Sequence, residues 1–111
     1  MAYDEELASR IRALVAGEAG LTEQKMFGGL AFLINGNMSV AASGEGGILL
    51  RIDPDQGSDL LESSSAVPMV MRGRAMQGWL RVDARDVRDE AELARWVDIG
   101  VAYARSLPAK R

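Results

Sequence analysis

The sequence predicts an α+β domain, an antiparallel sheet of about five to six strands with helices packed on it, in the order α-β-β-β-β-α-β-β-α. Three observations lead there. Apolar residues recur at helical spacing near both ends of the chain, an Asn-Gly pair at 35–36 separates two apolar runs, and glycine-rich segments punctuate the middle. Tight hairpins make neighbouring strands antiparallel, and the helices then cover the sheet as a second layer.

Residues 3–16 place Leu7, Ile11, Leu14 and Val15 on one helical stripe. Asp4, Glu5 and Glu6 sit where the helix dipole favours negative charge, and Gly17 is the expected stop. From Lys25 the pattern changes to strands. Met26-Phe27-Gly28-Gly29 leads into Leu30–Ile34, Asn35-Gly36-Asn37 turns the chain, and Met38–Ala41 returns. The Asn-Gly pair suits a hairpin because both turn positions need positive φ. Ser43-Gly44-Glu45-Gly46-Gly47 makes the next turn before Ile48–Ile52, completing a meander of three or four strands.

Asp53 caps a short helix that has Pro54 at its first position, anchored by Leu60 and Leu61 and ended by Ser63-Ser64-Ser65. Pro68–Met71 and Gly78–Val82 read as two strands separated by an Arg72-Gly73-Arg74 loop. The last helix, Asp89 to Leu107, carries Leu93, Trp96, Val97, Gly100, Ala104 and Leu107 on one face. Glycine in mid-helix costs about 1 kcal/mol against alanine, so Gly100 is expected to permit close packing onto the sheet. Pro108 terminates the helix.

A chain of 111 residues suits one domain spanning 1–111. It contains no cysteine and no histidine, so thiolate chemistry, disulfides and the commonest general base and metal ligand are absent. The reading is therefore not an enzyme, with no cofactor and no metal. A net charge of −3 argues against general nucleic-acid binding. The acidic, amphipathic start is unlike a secretory signal, and no apolar run is long enough to cross a membrane. These features point to a cytoplasmic protein.

Lys25-Met26-Phe27-Gly28-Gly29-Leu30, the segment from Met71 through Arg72-Gly73-Arg74 to Gly78-Trp79, and the closing Trp96-Val97 with Tyr103–Pro108 together resemble the N-terminal domain of the TfoX/Sxy family. The first two motifs lie about 45 residues apart, with a leucine-bearing strand and an Asp-Pro helix start between them, and the resemblance runs from residue 5 to 108. It implies a curved antiparallel sheet between helices. Full-length members of that family carry a second, C-terminal domain and regulate competence genes in bacteria. This chain resembles a stand-alone first domain. The family is not known for a catalytic residue set, so the resemblance brings no active site.

One window stands out for function. Residues 63–82 hold no acidic residue, while Arg72, Arg74 and Arg81, the glycines Gly73 and Gly78, and Trp79 crowd its second half. With Met71 and Met76 these form a candidate interaction surface for a protein partner or a second copy of the chain, since methionine adapts to irregular contacts. Met38 and Met69 read as core. Alternatively, Arg72, Arg74 and Arg81 hold a small anion or nucleotide, with Ser63–Ser65 adding hydroxyls. Trp79 reads as core or interface ahead of a base-stacking platform. Gly28 and Gly29 read as structural glycines at a bend, because a strand follows them where a phosphate cradle would need a helix. Asp83, Asp86, Asp89 and Glu90 read as helix caps ahead of a cation site.

Overall fold

The computed structural model describes residues 3–26, 28–64, 66–71 and 73–109. Phe27, Ser65 and Arg72 lie outside the described residues, as do the side chains of Ser58, Ser63 and Met71. Helix α1 spans Glu5–Val15, with Asp4 as its cap: the carboxylate accepts hydrogen bonds from the Glu6 and Leu7 amides, satisfying donors that have no partner within the helix. Strands β1 (Leu21–Met26), β2 (Gly29–Ile34), β3 (Asn37–Ala42) and β4 (Ile48–Arg51) form the meander. A 3-10 turn over Pro54–Gln56 leads into α2 (Gly57–Ser63), then come β5 (Val67–Met71) and β6 (Arg74–Val82). A second 3-10 turn at Ala84–Val87 precedes α3 (Glu90–Ser106).

The element order is the one the sequence predicts, with six strands. The meander starts at Leu21 instead of Lys25, because Thr22, Glu23, Gln24 and Lys25 are all exposed and give no apolar alternation to read. The turn between β2 and β3 is the expected Asn-Gly hairpin: Asn35 and Gly36 have φ of 53° and 83°, and Ile34 pairs with Asn37. Asp53 and Pro54 open their 3-10 turn, while Asp83 and Asp89 cap the helical segments that follow them. Among the described residues no cluster of His, Cys, Asp or Glu could hold a metal ion.

The sheet runs β1-β2-β3-β4-β6-β5, with every neighbouring pair antiparallel. One face carries Phe32, Val40, Leu50 and Leu80 into a core with Ile11 of α1 and Leu93, Trp96 and Val97 of α3. The other face gathers Ala31, Leu33, Met38, Ala41, Leu49 and Met69, with Met26 and Trp79 packed against them. Met26 lies on β1 and Met69 on β5, the two edges of the sheet, so the sheet curls until its second face covers itself. This explains why β2 and β3 are buried on both faces although the helices pack on one.

α3 crosses β3 at a bulge. The register shifts beside Phe32 and Leu33, and the Ser39 hydroxyl donates to the Phe32 carbonyl at 2.7 Å. A Cβ at Gly100 would lie 2.6 Å from the Ser39 carbonyl oxygen. Gly100 is thus the close-approach point that its mid-helix position predicts.

Candidate functional site

The turn between β5 and β6 is shorter than the sequence suggests. Met71 pairs with Arg74, so β6 begins at Arg74, directly after Gly73. Arg74 and Met76 therefore belong to a nine-residue strand, not a loop. Residues 74–78 are all exposed or half-buried, so no apolar run marks that strand in the sequence.

β6 does not run straight. Val70 pairs with Ala75 and Pro68 with Leu80, so Met69 alone on β5 faces Met76–Trp79 on β6. The excess length is taken up by a bulge at Gly78, which has φ +83°. The Gly78 carbonyl accepts from the Ile52 amide at 2.9 Å, and a Cβ there would meet the Pro54 ring at 3.2 Å. The positive φ is what favours glycine here, and a Cβ would also press on the Pro54 ring. The bulge and α2 together border a cleft of about 290 Å³ lined mainly by apolar side chains, among them Ile52, Pro54, Leu61, Pro68, Met76 and Leu80.

Trp79 also borders this cleft, half-buried against the second-face cluster. The Arg51 guanidinium lies 5.9 Å from its ring centroid and 5.7 Å from that of Tyr103, a cation held between two rings. Nothing in the spacing of Arg51 and Tyr103 in the sequence marks this contact, because the two residues meet only once α3 lies across the end of β4.

The two described arginines of the window do not converge. Arg81 stands seven residues along β6 from Arg74, roughly 20 Å at strand rise. Its guanidinium donates to the Ser43 hydroxyl at 3.1 Å and to the Gly46 carbonyl at 3.0 Å, with Glu45 at 3.6 Å. Arg81 pins the turn between β3 and β4, so an anion site would have to do without it. Ser64 is likewise engaged in backbone contacts at the end of α2, donating to the Leu60 carbonyl and accepting from the Ala66 amide.

Arg74 is different. It is exposed, and among the described residues it has no ion pair. The same holds for Asp55, Asp59 and Glu62, an acidic bank on the 3-10 turn and α2, the segments whose Pro54, Gly57 and Leu61 line the cleft. Residues 52–71 carry four acidic groups and no basic one, whereas 72–82 carry three arginines and no acid. β5, between the two banks, exposes Val67 at 49% and Val70 at 64%, the exposed large apolar side chains of the described surface.

The Gly28-Gly29 motif is the bend that the sequence predicts. Gly28 has φ +72°, Met26 pairs with Gly29 across the β1–β2 turn, and Met26 packs against the second-face cluster. Met38 and Met69 are core residues as expected.

The family model of the TfoX N-terminal domain matches residues 13–104. The chain belongs to that family. The match takes in all six strands and all but the last residues of α3, so the TfoX N-terminal domain here includes the whole cleft and both of its charged banks. Comparison with curated proteins and with solved structures returns no match. Among the described residues, no helix of this TfoX N-terminal domain is long and apolar enough to cross a membrane.

Proposed function

We infer that this TfoX N-terminal domain is a non-enzymatic, regulatory protein-interaction module of the cytoplasm, whose contact surface is the β5–β6 hairpin with the cleft beside α2. The observation that carries this reading is the exposure of Val67 and Val70 on a sheet edge that also borders a mostly apolar cleft. Exposed apolar surface rimmed by charge is what a protein contact uses, since burying it releases water while the rim sets orientation. Family membership supports the regulatory side of the reading. The residue inventory supports the non-enzymatic side: the chain offers no histidine or cysteine to activate a substrate.

The test is capture from native lysate with the wild type, Val70→Lys and Arg74→Ala, each checked by circular dichroism for an intact fold. Proteins recovered by the wild type and lost with either variant are the expected result. Identical sets from all three would remove the hairpin from consideration as a contact surface.

A further inference from the structure

β5 begins just after the acidic bank and ends where Met71 pairs with Arg74, so its two ends carry opposite charge. Asp59 and Glu62 lie on α2 just before the strand, and Arg74 lies just after it. The separation is about the length of the strand, roughly 17 Å for its five residues. Such an arrangement is self-complementary under a two-fold axis: turning a second copy antiparallel across β5 brings each acidic bank against the other copy's arginine. A parallel apposition would put like charges together.

We propose that the β5 edge and the adjoining cleft form the interface of a symmetric dimer with a second copy of this chain. This deepens the interaction reading above and rests on it. With the axis near Met69, Val70 of one copy falls opposite the partner's Pro68. Both lie on the face of β5 that Ala66 turns towards the helix-side core, because side chains alternate along a strand. The contact then buries Val70 beside both clefts, and Val67 on the opposite face of the paired strands. Arg74 gains Asp59 and Glu62 of the partner subunit, where within the described part of one chain it has no ion pair.

The assembly closes at two copies. Pro68 has no N–H to donate, so the strands meet over a short stretch through side chains more than through an extended ladder. The opposite edge, β1, exposes Thr22, Glu23, Gln24 and Lys25, and Glu23 is held by two hydrogen bonds from Arg12. A charged, engaged edge of this kind resists further strand pairing.

The experiment is a charge exchange read by sedimentation equilibrium from micromolar to millimolar protein, with Arg74→Glu as one variant and Asp59→Lys/Glu62→Lys as the other. The wild type is expected to dimerise. Each variant alone sets like charges against each other and should weaken dimerisation by about tenfold or more. Their equimolar mixture restores both pairings and should form a heterodimer approaching wild-type affinity. A wild type that stays monomeric, variants that dimerise as well as the wild type, or a mixture no more associated than its separate components would each overturn the dimer. Lysate capture separates this failure from that of the broader reading. If the wild type is monomeric but Val70→Lys still loses captured proteins, the surface serves a different partner; if nothing is lost, both readings fall.

Discussion

Replacing Gly100 with alanine sets two physical effects against each other. In an exposed helix interior the substitution stabilises by about 1 kcal/mol, because glycine loses more backbone freedom on folding. At this position the added methyl would lie 2.6 Å from the Ser39 carbonyl oxygen and 3.2 Å from its carbon. Ordinary contact begins near 3.4 Å, so α3 would have to withdraw by about 0.8 Å. Ser39 cannot yield easily, since its carbonyl belongs to the backbone of a buried bulge that its own hydroxyl ties to Phe32. Withdrawal would also loosen Trp96 and Ala104, both fully buried one turn away on either side. Overpacking of this kind costs about 1–3 kcal/mol, enough to overturn the propensity gain. The expected result is a net loss of about 1–2 kcal/mol, seen as a lower urea midpoint at unchanged slope and a Tm lower by roughly 5–10 °C. Gly17→Ala is the control, because a Cβ there meets nothing within 4 Å, and it should stay within about 0.5 kcal/mol of the wild type. A Gly100→Ala protein as stable as the wild type, or more so, would refute the close-approach argument.

Three further outcomes are expected. Asp89→Ala removes the carboxylate that accepts from the Glu92 amide at 3.1 Å and should cost about 1 kcal/mol in thermal or urea unfolding. Arg81→Ala should destabilise by about 1–2 kcal/mol through the lost bonds to Ser43 and Gly46 while leaving self-association unchanged, whereas Arg74→Ala should do the reverse; unfolding and sedimentation on both variants check this. Hydrogen bonds from the Arg12 guanidinium hold the Glu23 carboxyl below its ordinary value of 4.5. Because the folded-state value is the lower one, the stabilisation is complete above 4.5 and fades as the pH falls through that lower value. Urea unfolding of the wild type and Glu23→Gln should therefore show a small difference at neutral pH that disappears in strong acid.

Much of the architecture was readable because it rests on local chemistry. Asn35-Gly36 prefers positive φ at both turn positions, Asp53-Pro54 and Asp89 satisfy helix starts, and the Leu93–Ala104 stripe repeats every turn. β1 and the first half of β6 were not marked, since both are largely exposed and their place depends on pairing with distant strands. The candidate surface was half legible. Met76 and Trp79 border one cleft and Arg74 starts the same strand, but Arg81 was grouped with them only because it is near in sequence. A strand carries residues apart at about 3.3 Å each, so seven positions are enough to separate two guanidinium groups completely.

The sequence by itself determined the element order, the caps, the tight turns and the absence of histidine and cysteine, because each follows from residues within a few positions of one another or from composition. Only the tertiary structure decided that the sheet curls onto its own second face, that Arg51 lies between Trp79 and Tyr103, and that β5 has an acidic bank at one end and an arginine at the other. Those features come from packing between segments far apart in the chain. Their geometry is set by the bulges at Ser39 and Gly78 and by the crossover that carries β5 to the sheet edge, and no local preference encodes it.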